Sequence, residues 1–205
     1  MPGRLFLTQD AASIAAHFQV SVPDFCDPPR LNIAPGQEII VLRQDRQLCR
    51  MRWGLIPVGR VNARGRPIME TIINARSESV FEKSAFQGVR RCIVPAGGWY
   101  EWTGKACKKT AWRISPRVGG LLAFAAICDV WTAPGGMIVQ QVATVTCPPS
   151  ADVSDIHDRM GVVIKLKGVG IWLDGSQSDA AKLMQPLEAG RLNVEQVTDV
   201  DWAAP

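Results

Sequence analysis

The sequence is poor in the residues that hold metals and build redox sites. Its 205 residues include only two histidines, His17 and His157, and one tyrosine. Six cysteines are present, but no two have the two-residue spacing that zinc ribbons and dithiol redox motifs use. The sequence therefore predicts no metal and no cofactor, and it favours six reduced structural thiols in a cytoplasmic protein.

Long hydrophobic runs are also lacking. No apolar stretch approaches the roughly 18 residues that a membrane-spanning helix needs, and the first residues carry no apolar core of a secretion signal. We therefore expect a soluble protein that makes no membrane contact. The charge excess is small, because 23 Lys and Arg against 19 Asp and Glu leave a net charge of +4. Composition thus permits an anionic partner without requiring one.

Short apolar segments with strand-like alternation occupy the middle of the chain. They predict strands over 38–42, 49–53, 92–95, 111–114, 121–131, 137–146 and 162–166. Helices are predicted over 10–18, 79–86, 169–174 and 178–187, the last capped by Ser178 and ended early by Pro186. Because strands and helices do not alternate, we expect an α+β fold. We expect the whole chain, residues 1–205, to form one domain with a largely antiparallel, barrel-like β-sheet core and a few peripheral helices.

Three polar segments, 73–78, 95–102 and 155–160, contain potentially reactive side chains. In the second, Glu101 lies among three aromatic residues, and apolar surroundings raise a carboxyl pKa, which suits a general acid. An exposed strand glutamate is the alternative. His157, in the third segment, is either a functional imidazole or a loop histidine satisfied by its neighbours. Sequence alone does not establish that the three segments meet.

These segments and the N-terminus also carry a resemblance to a known family. The matching pieces, in chain order, are GR at 3–4, NIAP at 32–35, WGLIP at 53–57, INARSE at 73–78, CIVPAGGWYEW at 92–102 and IHDRM at 156–160. In this combination the chain resembles the SOS response-associated peptidase (SRAP) family, the abasic-site processing proteins. The resemblance covers residues 1 to about 165.

The resemblance implies binding to single-stranded DNA at abasic sites, during the DNA damage (SOS) response. In the family, the sugar aldehyde reacts with the N-terminal residue that removal of Met1 exposes, normally a cysteine, and a stable thiazolidine cross-link closes. By resemblance, Glu101 assists ring opening, proton transfer and self-removal of the methionine. His157 carries protons, and Asn74 orients the N-terminal residue and the sugar. We expect a cytoplasmic protein that joins the nucleoid when it binds DNA.

The resemblance also assigns DNA contacts. Arginines near the phosphates and residues lining the DNA path match Gly3, Arg4, Pro35, Arg76, Thr146 and Arg159. Phosphate contacts of this kind position the DNA without reading its sequence, and they make binding salt-sensitive. Arg90-Arg91 and Lys105, Lys108 and Lys109 extend the positive surface or are solvated loop charges.

One departure from the family changes the expected chemistry. Position 2 is proline, so no thiol is available to close a thiazolidine. The secondary amine of an N-terminal proline condenses with an aldehyde to an iminium ion, which hydrolyses or undergoes β-elimination. Transient iminium or lyase chemistry and DNA binding without covalent chemistry both stay open. A third alternative is a thiol peptidase that uses Cys92 or Cys147 with His157.

Two smaller departures concern Gly59 and Gly161. The family usually has an aromatic residue where Gly59 stands, so base stacking would fall to Trp53 or Trp99, unless these pack in the core. Gly161 follows Met160 at a position where proline is common in the family. The sequence leaves the oligomeric state open.

Overall fold

The computed structural model describes residues 2–57, 71–105, 108–132 and 135–203. Within them the chain forms twelve strands and three α-helices. The strands are β1 Arg4–Leu7, β2 Arg30–Ile33, β3 Glu38–Leu42, β4 Leu48–Trp53, β5 Asn74–Arg76, β6 Arg90–Ala96, β7 Gly98–Thr103, β8 Thr110–Pro116, β9 Leu122–Thr132, β10 Ile138–Cys147, β11 Met160–Gly161 and β12 Leu192–Val197. The helices are α1 Ala11–Phe18, α2 Val169–Asp174 and α3 Gln177–Leu183.

Five of the strands close into a barrel. Their order is β10-β4-β3-β6-β9, and β9 pairs again with β10. Every pairing around the barrel is antiparallel except that of β10 with β4. The long strands β9 and β10 have nearly continuous buried runs, because one face fills the barrel and the other is covered. The expectation of an α+β fold with a largely antiparallel, barrel-like core is confirmed.

Strands β4 and β5 lie end to end along β10. Trp53 at the end of β4 is in register with Val142, and Asn74 at the start of β5 is in register with Thr144. Both pairings are parallel. Asn74 is therefore positioned by the pairing of β5 with β10.

A second sheet, in the order β12-β8-β7-β1-β2, packs one face on the barrel. Leu5 and Trp99 are opposite each other on this face and are fully buried in the main core. The alternate residues Phe6 and Tyr100 point to the outer face, because successive side chains of a strand alternate. There they join a small separate cluster that includes Trp202 near the C-terminus. The two strands β1 and β7 thus carry side chains to two different surfaces.

Most predicted elements are present with shifted ends. The strands of the barrel and β8 lie where alternation predicts them, and α2 spans the predicted 169–174. Helix α1 begins after Asp10, whose carboxylate accepts from the Ser13 amide at 2.7 Å. Helix α3 is capped by Ser176 instead of Ser178 and ends at Leu183, ahead of Pro186 as predicted.

Two predicted elements are wrong. Residues 79–86 form turns and a 3-10 helix, Ser84–Phe86, instead of an α-helix. Their buried anchors, Val80 and Phe86, are six positions apart and would lie on different sides of an α-helix. The predicted strand 162–166 is irregular, because its backbone amides donate to two different strands. The Val162 amide bonds to Val145 on β10, and the Ile164 amide bonds to Ala123 on β9.

No helix among the described residues is long and apolar enough to cross a membrane.

Candidate active site

The carbonyl of Pro2 is held by an asparagine at the end of the barrel. The Asn74 side-chain amide donates to the Pro2 carbonyl oxygen at 2.8 Å. The Thr144 hydroxyl, in register on β10, donates to the Asn74 side-chain oxygen. Because Thr144 is fully buried, it fixes which end of the carboxamide faces Pro2. Pro2 is thus held beside the barrel by this hydrogen bond.

Glu101 lies next to this N-terminal segment. Arg4 is in register with Tyr100 in the β1–β7 pair, so Gly3 falls opposite Glu101. The Glu101 side chain is only 4% exposed, and burial raises its pKa from 4.5 to about 7, against opposing contributions that include the indole of Trp99. An exposed strand glutamate is therefore excluded. At neutral pH a large fraction of Glu101 retains its proton and can donate it.

His157 approaches Glu101 from the turns that precede β11. Its Nε2 lies 4.0 Å from the Glu101 Oε2, and its Nδ1 accepts from the Arg159 backbone amide at 3.0 Å. Partial burial lowers the pKa of His157, so the ring is neutral at pH 7. Asp158, whose Oδ1 lies 2.8 Å from Nδ1, opposes this shift because its charge stabilises the protonated ring.

Arg159 is neutralised by an acidic neighbour. Its guanidinium makes a two-pronged ion pair with Glu78, at 2.9 Å for one of the two bonds, and also donates to the Thr146 carbonyl at 2.6 Å. This pair lowers the pKa of Glu78 to about 2. Thr146 is fully buried, and its hydroxyl lies 3.4 Å from the guanidinium. Thr146 is therefore a buried residue that supports the Arg159 side chain, and it is not exposed.

Arg76 lies on the open side of the site. It is exposed at the end of β5 and borders a cavity of about 500 Å³ that also reaches Asn74 and Lys83. Neither Arg76 nor Lys83 has an ion-pair partner in the part of the chain that the structure describes. Two cations thus line a groove that leads to the asparagine holding Pro2.

The remaining predicted DNA contacts lie apart from this groove. Arg4 points to the outer face of its sheet, where it donates to the buried Asn32 at 2.5 Å. Gly3 and Arg4 border a separate cavity of about 300 Å³. Pro35 is exposed in a turn that pairs with the end of β4, since the Gly36 amide donates to the Trp53 carbonyl at 2.7 Å.

Two departures from the family, at positions 2 and 161, are neighbours in space. A methyl group added to Gly161 would lie 3.3 Å from Cγ of Pro2 and 2.4 Å from the Phe124 ring. Gly161 therefore leaves space chiefly for the Phe124 ring, and it also borders the Pro2 ring.

The tryptophans proposed for base stacking are core residues. Trp53 and Trp99 are both fully buried, and the Trp53 indole donates to the Ile73 carbonyl at 3.1 Å. Gly59 lies outside the described residues. Neither of these two tryptophans presents a ring face to DNA.

Cys92 and Cys147, the two candidate thiol nucleophiles, are not activated. Burial raises the pKa of Cys147 to about 11 and raises that of Cys92 as well, whereas a nucleophilic cysteine needs a lowered pKa. The free cysteines are Cys26, Cys49, Cys92, Cys128 and Cys147, and Cys107 lies outside the described residues. Among the described residues, no cluster of three or more His, Cys, Asp or Glu side chains is placed to hold a metal ion.

Sequence reasoning missed the residues that support the site. Thr144 orients Asn74 and Glu78 neutralises Arg159, yet neither was assigned a role. A signal was present in β10, an apolar strand that contains Gln141, Thr144 and Thr146. Polar residues in such a strand are buried with a partner, and all three are fully buried here.

Comparison with known proteins defines the class of protein. The model of the family described as SOS response associated peptidase (SRAP) matches residues 1–200, and the chain belongs to this family. It is 32% identical over 212 residues to the abasic site processing protein YoqW of Bacillus subtilis (strain 168), an alignment that covers 98% of this chain and 93% of YoqW.

More distant relatives are similar over part of their length. The abasic site processing protein HMCES of Mus musculus is 30% identical over 180 residues, which cover 70% of this chain and 50% of HMCES. Two solved structures share the fold. A protein from Bacteroides thetaiotaomicron has a TM-score of 0.81 at 18% identity, covering 96% of this chain and 92% of that one. A protein from Bordetella bronchiseptica has a TM-score of 0.80 at 24% identity, covering 96% and 99%.

Proposed function

We propose that this protein processes abasic sites in single-stranded DNA, with its N-terminal residue facing the sugar aldehyde. The observation that carries the proposal is the hydrogen bond from Asn74 to the Pro2 carbonyl, which fastens the N-terminal segment beside Glu101 and His157. Relatives at about 30% identity are named abasic site processing proteins, which supports DNA processing at abasic sites in general. The protein acts in the cytoplasm and joins the nucleoid through DNA.

The proposed chemistry begins once Met1 is removed, which the small second residue favours. The secondary amine of Pro2 attacks the aldehyde carbon, and a carbon–nitrogen bond forms. The resulting carbinolamine loses its hydroxyl as water, which requires one proton, and leaves an iminium ion. Hydrolysis returns the aldehyde and the amine. Loss of a proton from C2′ instead gives an enamine, whose electron pair expels the 3′ phosphate as the C3′–O bond breaks. The strand is then cut, and hydrolysis of the remaining unsaturated iminium frees Pro2.

Glu101 and His157 are placed to move these protons. With a pKa of about 7, the Glu101 carboxyl supplies the proton that converts the departing hydroxyl to water. The His157 ring is the candidate acceptor for the C2′ proton, because its lowered pKa leaves it unprotonated at pH 7. No thiol is present at position 2, so the iminium cannot be captured as a thiazolidine.

A binding role without covalent chemistry is the second candidate. It is favoured by the same missing thiol, because the stable cross-link of the family cannot form. This role predicts single-stranded DNA binding that falls with salt and that is the same in a Pro2→Ala variant. The thiol peptidase alternative is disfavoured by the raised pKa values of Cys92 and Cys147.

Borohydride trapping tests the covalent proposal. Protein confirmed by intact mass to begin at Pro2 is mixed with single-stranded DNA that contains one abasic site, and borohydride is added. We expect a trapped adduct and strand cleavage. DNA with a tetrahydrofuran analogue, which has no aldehyde, is the control and gives neither. Binding to both DNAs without any adduct or cleavage would establish the binding role instead.

A further inference from the structure

Two cysteines that the proposed reaction does not use lie in the barrel wall, at the end where β6 begins. Cys128 on β9 is directly opposite Arg90, the first residue of β6, and Cys92 is two positions further along β6. Residues directly opposite each other, and alternate residues of one strand, share a face of the sheet. Arg91 points the other way and lies over the Trp172 ring of α2, outside the barrel. Cys92, Cys128 and Arg90 therefore share the inner face.

A hydrogen bond joins the two thiols. The Cys92 thiol donates to the Cys128 sulfur, and this bond lowers the pKa of Cys128, whereas burial raises that of Cys92. At Cys128, burial and the charge of Asp129 oppose the lowering, while Arg90 and Arg43 add to it. Of the two sulfurs, that of Cys128 therefore carries a negative charge more readily. The thiolate is the form of cysteine that acts as a nucleophile.

A cavity of about 520 Å³ lies beside Cys128. The residues that border it include Cys128, Arg43, Arg90 and Gln140. Cys128 is 6% exposed, whereas Cys92 is fully buried. Hydrogen peroxide is a small uncharged oxidant, close to water in size, and the cavity has ample room for it. Of the two thiols, Cys128 is therefore the one that a small oxidant meets.

The positive charge at this cavity favours an anionic sulfur. Arg43 is engaged by Asp45. Arg90 is exposed and, among the residues that the structure describes, has no ion-pair partner. Reactive cysteines occupy accessible, electropositive surroundings, and oxidation-sensitive ones often lie beside a second thiol. Cys128 combines a bordering cavity, a directly opposed arginine and a neighbouring thiol.

We propose that Cys128 is a site of oxidation by hydrogen peroxide, with Cys92 as the hydrogen-bond donor and Arg90 as the cation that stabilise its thiolate. The thiolate attacks one peroxide oxygen, so a sulfur–oxygen bond forms and the oxygen–oxygen bond breaks. The departing hydroxide takes up the proton that the thiol released and becomes water. Sulfur is oxidised by two electrons to a sulfenic acid, and the peroxide is reduced. This reaction is independent of the proposed DNA chemistry at Pro2.

The test follows the loss of each free thiol in the full chain. Protein treated with hydrogen peroxide is unfolded in an alkylating reagent, and peptide mass mapping gives the fraction of each cysteine that no longer reacts. Cys128 is expected to be lost at least about fivefold faster than Cys49 and Cys147. Burial raises the pKa of both of these control thiols to about 11. Oxidation through global unfolding would consume all three at similar rates.

Variants test the parts assigned to the two neighbours. Cys92→Ala is expected to slow the oxidation of Cys128 at least about threefold, and Cys92→Ser, which keeps a hydrogen-bond donor, to restore most of the rate. Arg90→Ala should slow it as well, whereas Arg113→Ala, in the second sheet, is the matched control and should leave it unaltered. A Cys128 rate no faster than that of the two control thiols, or one that neither Cys92→Ala nor Arg90→Ala alters, would overturn the inference.

Discussion

At the scale of single residues, the site shifts the pKa values of two ionisable groups away from their ordinary values. Burial raises the pKa of Glu101 to about 7 and lowers the pKa of His157. A carboxyl group that retains its proton in part at neutral pH therefore lies 4.0 Å from a neutral imidazole ring. Groups whose environments push them toward neutrality in this way are suited to exchange protons with a bound sugar near pH 7.

Glu101→Gln is expected to change how stability depends on pH. The folded protein keeps the Glu101 proton up to about pH 7, whereas the unfolded chain loses it near the ordinary pKa of 4.5. The unfolded state thus binds fewer protons in this window, and wild-type stability falls as pH rises from about 4.5 to 7. Glutamine removes this loss, which amounts to at most about 3 kcal/mol.

Urea unfolding at pH 5 and pH 8 measures the effect. The gain of Glu101→Gln over wild type is expected at pH 8 and is small at pH 5. Glu82→Gln, at an exposed glutamate, is the control and should leave the pH dependence unaltered. A gain of equal size at both pH values would show that Glu101 does not carry the raised pKa.

Pro2→Cys is expected to convert a transient adduct into a permanent one. The introduced thiol adds to the imine carbon and closes a thiazolidine, and cysteine is small enough for the space beside Gly161. The variant should give a cross-link to abasic DNA that survives heating without borohydride, measured on a denaturing gel. Pro2→Ala, with an amine and no thiol, should require borohydride. A heat-stable cross-link by the wild type would contradict this chemistry.

At the scale of secondary structure, the site is built by the shortest elements. Strand β5 has three residues and β11 has two, and they bring Asn74 and Gly161 to opposite sides of β10. Local alternation located the barrel strands and β8, but it missed these two strands together with β1, β2, β7 and β12. Asn74 was found through the motif around it, while Thr144 and Trp202 depend on register and on a C-terminal contact that no local pattern encodes.

Gly161→Ala is expected to destabilise the protein. The new methyl group would meet the Phe124 ring at 2.4 Å and the Pro2 ring at 3.3 Å, and overpacking of this kind costs about 1–3 kcal/mol. Gly170→Ala is the control, because it lies in α2 with open space around it and should add up to about 1 kcal/mol through helix propensity. Denaturant midpoints compare the two. If Gly161→Ala and Gly170→Ala had the same denaturant midpoint, the surroundings of Gly161 would be loosely packed.

At the scale of the whole molecule, the net charge of +4 understates the positive surface near the site. Arg159 and Arg113 are cancelled by acidic neighbours, while Arg76, Lys83 and Lys109 have no ion-pair partners among the described residues. Charge that is local and unpaired attracts a phosphate chain along a defined path, even when the total is small.

Arg76→Ala is expected to weaken single-stranded DNA binding and to reduce its salt dependence. Loss of one phosphate contact lowers the slope of log affinity against log salt by about 0.7. Arg113→Ala should leave the slope unchanged, since that arginine is already paired. Fluorescence anisotropy between low and moderate salt measures both. A slope that is equal in wild type and Arg76→Ala would place the DNA outside the groove.

The end-to-end arrangement of β4 and β5 on β10 has a consequence for how this chain tolerates insertions. Because β10 holds Trp53 and Asn74 in fixed register, an insertion that shifted either strand along β10 would break its pairing. One residue added within β5 would instead turn Asn74 to the opposite face and release Pro2. Asn74–Arg76 must therefore keep its register on β10 for Asn74 to reach the Pro2 carbonyl.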